Sequence, residues 1–132
     1  NYVKQYFYKK NKNIKNTLLD QKFISGIGNI YASEILNFSK INPLKSSGKL
    51  NINEINKIIF FTKKVLKRSI KKGGTSIKNF FSIKGKQGSY QNEFRVYNRE
   101  SKRCKNNLCL GSIIKVNLSN RSTYMCNICQ KK

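Results

Sequence analysis

The stretch Gly26-Ile27-Gly28-Asn29-Ile30-Tyr31-Ala32-Ser33-Glu34-Ile35-Leu36 organises the chain around it. Its two glycines suit a tight turn and close approach by another group, and Asn29 behind them is a good helix N-cap. Ile27, Ile30, Tyr31, Ile35 and Phe38 then recur at helical spacing on one face, which predicts a helix ending near Ser39, before Pro43. A glycine turn feeding a polar cap is chemistry suited to gripping phosphate, because the first N–H groups of a helix lack partners within it.

Upstream, Ile14-Lys15-Asn16-Thr17-Leu18-Leu19-Asp20 predicts a short helix. Downstream, a long helix is expected from about Ile52 to Lys72, with Asn51 and Glu54 spaced as a capping box and Gly73-Gly74 placed to stop it. Ile55, Ile58, Ile59, Thr62, Val65 and Leu66 form its buried stripe, while Lys57, Lys64, Lys67 and Lys71 face solvent or phosphate. Residues 73–92, rich in Gly, Ser, Lys and Asn and including Gly85-Lys86-Gln87-Gly88, read as a long mobile loop. Beyond them Phe94-Arg95-Val96-Tyr97 predicts a strand, and Ile113–Leu118 with Arg121–Met125 predicts a hairpin. The expected fold is a mostly α-helical domain over 1–92, loop included, followed by a small β-hairpin unit over 93–132.

All the cysteines, Cys104, Cys109, Cys126 and Cys129, bracket that hairpin, and there is no histidine. Cys126-Asn127-Ile128-Cys129 has the C-x-x-C spacing that lets two thiolates of one knuckle reach a single ion. Cys104 and Cys109 stand four residues apart, looser than the usual two, with Gly111 following to relieve the turn, and the sixteen residues between Cys109 and Cys126 suit two strands and a turn. The pattern predicts one structural zinc ion in a four-cysteine ribbon, a disulfide pair or free thiols being the other reading. Four thiolates would close the coordination sphere, so the metal would not be catalytic.

Twenty-eight Lys and Arg against five acidic residues give a formal charge of +23. Such an excess calls for an anionic partner, nucleic acid first, although AT-rich coding also favours Lys, Asn and Ile. No stretch approaches the roughly 20 apolar residues that span a bilayer, and the start carries no secretory core, so a soluble intracellular protein without a membrane partner is expected. The sparse acids, Glu34, Glu54 and Glu93 among them, show no paired carboxylates for acid–base work, and Glu34 reads as a structural partner.

As a string, residues 26–36 closely resemble the helix-two-turn-helix signature of the formamidopyrimidine-DNA glycosylases. Three further stretches resemble that family in order: Ile14-Lys15 with Leu18-Leu19-Asp20, then Gly73-Gly74-Thr75, then Val96-Tyr97-Asn98-Arg99. Arg121-Ser122-Thr123 followed by Cys126-x-x-Cys129-Gln130 looks like its terminal pattern, and Asn29-Ile30-Tyr31 is closer to this family than to its endonuclease VIII relatives.

The resemblance implies a helix-two-turn-helix domain and a zinc ribbon that clasp bent duplex DNA containing damaged bases or abasic sites, while a base, typically an oxidised purine, is flipped out. It places DNA contacts at Lys15, Gly28, Asn29, Tyr31 and Arg121, with Asn29 on a phosphate beside the lesion. Arg121 would enter the DNA near the abasic site and serve as proton donor in the final strand cleavage. The segment from Thr75 to about Tyr90 would close over the flipped base. The implied parent is a monomeric glycosylase and abasic-site lyase of base-excision repair, in the bacterial cytoplasm and nucleoid-associated through DNA.

Two features depart from that pattern. The spacing from Cys104 to Cys109 puts the geometry of the first knuckle in question. The family's nucleophile is an N-terminal proline amine followed by glutamate and aided by a lysine, whereas Pro43 is this chain's one proline and is internal. The chain, which begins at Asn1, is thus expected to be the DNA-binding C-terminal half of such an enzyme, inactive alone. The alternatives are a free-standing basic zinc-ribbon module that binds nucleic acid, structured RNA included, without damage specificity, and a decayed remnant.

Overall fold

The computed structural model describes residues 2–8, 10–24, 26–74 and 88–131. Its helices are α1 (Tyr2–Phe7), α2 (Ile14–Leu19), α3 (Asn29–Ser39) and α4 (Ile52–Lys71), and its strands β1 (Ile113–Leu118) and β2 (Arg121–Cys126) pair antiparallel. Short 3-10 turns lie at Ser47–Lys49 and Tyr90–Glu93.

Local signals set the start of α2 and both ends of α4. Asn13 caps α2, its side chain accepting from Asn16 N–H at 2.8 Å. On α4 the expected capping box is formed: Glu54 N–H donates to Asn51 Oδ1 at 2.8 Å, and Asn51 N–H donates to Glu54 Oε1 at 3.0 Å. Gly73 and Gly74 leave α4 with φ of +77° and +83°, which a side chain would strain. The sequence places an N-cap at Asn29, but Gly28 holds that extended position and Asn29 is the first helical residue, its side chain drawn away to β2. Helix α1 has no counterpart among the sequence expectations. Six residues are too few to show a period, and α1 stands because Tyr2, Tyr6 and Phe7 pack around Phe23 with ring centroids 5.9, 4.7 and 5.3 Å away.

The main core gathers Ile14 and Leu18 of α2, Ile35 and Leu36 of α3, and Ile55, Ile58 and Val65 of α4, together with Tyr90 and Phe94. Burying each such side chain contributes roughly 1.5–3 kcal/mol. Ile59 and Leu66, placed in the buried stripe by spacing, lie at its half-buried edge. A second, smaller cluster joins Val96, Ile113 and Tyr124 to Cys104 and Cys126, and the Tyr97 ring links the two, 5.5 Å from Phe94 and 5.1 Å from Tyr124.

Residues 94–97 do not form the expected strand. The N–H groups of Arg95, Val96 and Tyr97, which a ladder would have used, converge on the buried Glu34 carboxylate at 2.7, 2.9 and 3.0 Å. Burial pushes the Glu34 carboxyl up from its ordinary value, and the three N–H groups pull it back. Most of the loop expected over 73–92 lies outside the described residues. From Gly88 onward the chain is packed: Ser89 N–H donates to Lys72 O and Tyr90 N–H to Gly74 O, both at 3.0 Å. A Cβ on Gly88 would stand 2.4 Å from Gly74 O, so only glycine fits there.

Candidate DNA interface and metal centre

The β hairpin turns at Ser119 and Asn120, both left-handed with φ of +54° and +63°, the two-residue geometry whose twist matches paired strands. That turn puts Arg121 first on β2, exposed at the hairpin tip. Three side chains of the helical region hold the tip in place. Asn16 Nδ2 donates to Ser119 Oγ at 3.0 Å, Asn29 Nδ2 to Ser122 O at 3.0 Å, and Lys15 Nζ to Thr123 Oγ1 at 2.5 Å. The N-terminus of α3 and the hairpin tip therefore form one surface.

Lys15 is 1% exposed, and burial followed by the charge of Arg121 lowers its ammonium to about 8. Asn29 Oδ1 and Ser33 Oγ are buried without a hydrogen-bond partner among the described residues. Gly26, at φ +93°, needs glycine for its own backbone, whereas a Cβ on Gly28 would meet nothing within 4 Å. Gly28 fronts open space at the start of α3, where unpaired N–H groups concentrate partial positive charge. Of the residues singled out from the sequence, Lys15, Gly28, Asn29 and Arg121 share this region. Tyr31 is turned toward α4, its hydroxyl 2.6 Å from Ser69 Oγ and its ring 5.8 Å from that of Tyr90.

The four cysteine sulfurs lie within 4.8 Å of one another. Cys104 and Cys129 Sγ are 3.7 Å apart, and Cys109 and Cys126 Sγ 3.6 Å, against edges of about 3.8 Å for a tetrahedron with zinc–sulfur arms of about 2.3 Å. The wide first knuckle brings both of its sulfurs into this cluster despite its spacing. Asn106 N–H donates to Cys104 Sγ and Gly111 N–H to Cys109 Sγ, each at 3.4 Å, and Ile128 N–H does the same to Cys126 Sγ. Gly111 is required by proximity, since a Cβ there would lie 2.5 Å from Cys126 Sγ. The Gly111 N–H draws the Cys109 thiol down to about 7, while burial pushes the Cys129 thiol up to about 12. The donor set fits a structural zinc ion.

Sequence reasoning passed over the residues that join this centre to α3. Asn37, fully buried, donates from Nδ2 to Gln130 Oε1 at 2.8 Å, and the same oxygen accepts Cys126 N–H at 2.8 Å. Gln130 Nε2 donates to Ile41 O at 3.0 Å, and Arg95 Nε donates to Asn37 Oδ1 at 3.1 Å. The available signal was the spacing of Asn29, Ser33 and Asn37, which puts three polar side chains along one face of the helix.

Residues 1–81 match the family model of the formamidopyrimidine-DNA glycosylase H2TH domain. Over 130 residues, 98% of the chain, the sequence is 42% identical to the formamidopyrimidine-DNA glycosylase of Rickettsia bellii and 38% identical to that of Zymomonas mobilis. In each case it covers 47% of the relative, so the chain spans about half the length of the curated relatives it matches. Lactococcus lactis Fpg, solved in complex with an abasic site containing DNA, superimposes with a TM-score of 0.90 at 35% identity, covering 98% of this chain and 47% of that one. A mutant of the same enzyme in complex with a Fapy-dG containing DNA gives 0.91 at 33% identity, with the same coverage. The chain belongs to the formamidopyrimidine-DNA glycosylase family, and it is the C-terminal region in which a helix-two-turn-helix domain is followed by a four-cysteine ribbon.

Proposed function

We propose that this chain is the duplex-gripping half of a bifunctional base-excision repair enzyme, a glycosylase and abasic-site lyase acting on oxidised purines. The observation that carries the reading is the seam itself: Asn29 and Lys15 tie the start of α3 and the start of α2 to the strand that begins with Arg121. A helix N-terminus with open space at Gly28, an adjoining exposed arginine and a net charge of +23 make a surface for a sharply bent phosphate backbone.

In this reading Asn29 and the N–H groups behind Gly28 hold a phosphate beside the lesion. Arg121 enters the duplex at the abasic position and donates the proton of the last elimination. Lys15 acts from beneath the hairpin, fixing Thr123 and adding positive potential, and Tyr31 braces α3 against α4. Residues 1–92 are the helix-two-turn-helix unit with its loop, and 93–132 the ribbon. One zinc ion, held by Cys104, Cys109, Cys126 and Cys129, closes the ribbon and supplies folding energy there. The parent works as a monomer in the bacterial cytoplasm, associated with the nucleoid through its DNA. These residues, whose one proline is Pro43, bind the damaged duplex and leave the nucleophile to the family's N-terminal proline.

The test is a titration of the chain against abasic-analogue duplex, undamaged duplex and structured RNA at two salt concentrations, with and without a zinc chelator. Salt- and chelator-sensitive binding that favours the abasic duplex is expected. Equal or tighter binding to RNA would replace this reading with that of a basic zinc module lacking damage specificity.

A further inference from the structure

We propose that Asn106, supplied by the widened spacing between the first two cysteines, is a positioning residue that couples the metal centre to helix α3; this rests on the zinc and duplex-binding readings above. Its backbone N–H reaches Cys104 Sγ at 3.4 Å, and its side-chain Nδ2 reaches Cys129 Sγ at 3.1 Å and Asn37 O at 3.3 Å. Its Oδ1 accepts from the Arg95 guanidinium, which also binds Asn37 Oδ1. Asn106 is 9% exposed, so these bonds are made out of water, where each is worth more than on the surface.

A single residue therefore touches a sulfur of each cysteine pair, Cys104 through its backbone N–H and Cys129 through its side chain, and the same side chain reaches the helix at Asn37. From Asn37 the path closes on the metal site through Gln130 and the N–H of Cys126. Asn37 lies eight residues along α3 from Asn29, on the same face. The helix is a rigid rod between them, so seating Asn37 seats Asn29 against Ser122. When the thiolates are drawn to an ion, the Nδ2 donor is fixed, and with it the register of α3 against β2. Metal and duplex then favour the same arrangement, and each must tighten the other by the same factor.

The experiment measures zinc retention in the whole chain by competition with a chromophoric chelator, with and without abasic-analogue duplex. In the unsubstituted chain duplex is expected to strengthen zinc retention. Asn106→Ala should still bind one zinc, lose it at roughly ten- to a hundredfold lower chelator strength, the usual effect of removing a ligand's hydrogen-bond partner, and no longer respond to duplex. In the cobalt-loaded chain the thiolate-to-metal charge-transfer band should shift on the same substitution, which simple loss of packing would not produce. Asn106→Asp keeps the size of the side chain but sets an oxygen against the Cys129 thiolate, so it should release zinc more readily than Asn106→Ala. This second variant decides the matter if the first does not fold. Unchanged zinc retention and an unchanged response to duplex in Asn106→Ala overturn this proposal alone. A chain that takes up no zinc without substitution overturns the metal reading and this proposal together.

Discussion

The side-chain amide of Asn29 donates to the backbone carbonyl of Ser122 at 3.0 Å, joining the first residue of α3 to the second residue of β2. The residue expected to grip phosphate is thus also a fastener of the hairpin tip. Asn29→Ala should weaken duplex binding by about 1–3 kcal/mol, the range for a hydrogen bond to a charged group, measured by fluorescence anisotropy. Unchanged affinity would remove Asn29 from the interface.

Arg121 is exposed and at the end of its strand, so it can be truncated without opening the core. Arg121→Ala should leave zinc content and melting temperature unchanged, weaken binding to abasic duplex, and lower the salt dependence by about one phosphate contact. If the ribbon unfolds instead, the side chain has a structural role.

Lys15 titrates in the folded chain at about 8, below its ordinary 10.5. Below about pH 8 the folded protein carries the burial penalty of the ammonium in full. Between about 8 and 10.5 the folded state releases that proton while the unfolded chain keeps it, so stability rises with pH over that window. Against Lys15→Met, the unsubstituted chain should gain on the order of 2 kcal/mol from pH 7 to 10 in urea denaturation. Parallel pH profiles would contradict the buried charge.

Glu34 collects three backbone N–H groups at one buried carboxylate. Glu34→Gln keeps the shape but turns an amide N–H₂ toward at least one of them, and should destabilise the chain by about 1–3 kcal/mol, with amide protons at 95–97 exchanging first. Uniform exchange across the helical core would show that the tie carries little.

Cys129→Ser should release the metal and loosen the chain beyond about Phe94, while α2, α3 and α4 persist on their own apolar core. Metal analysis with hydrogen exchange reads both. Retained zinc together with a protected hairpin would refute the four-thiolate site.

Local chemistry was legible in the sequence wherever it repeats or has a fixed offset: the Asn51–Glu54 box, the glycines ending α4, the hairpin and the cysteine spacings. Asn29 was misread as a cap because its local preference is outbid by a carbonyl on a strand over ninety residues away. Residues 94–97 have strand propensity, yet a carboxylate from α3 claims their donors. Asn37 finds its side-chain partners only across the fold, and Asn106 and Gln130 add to their local bonds with Cys104 and Cys126 long-range bonds to α3 that nothing near them in the chain marks. The residues with the longest-range bonds are the ones that hold ribbon to helices, which is why sequence placed the pieces of the site and structure supplied their assembly.

The apposition of Gly88 on Gly73 and Gly74 has an evolutionary consequence. Because Lys72 and Gly74 bond directly to Ser89 and Tyr90, the chain on either side of residues 75–87 is fastened together at one fixed point. Exchange, insertion or deletion of residues between those glycines leaves this closure in place, so the helices and the ribbon can keep their register while that part of the sequence varies.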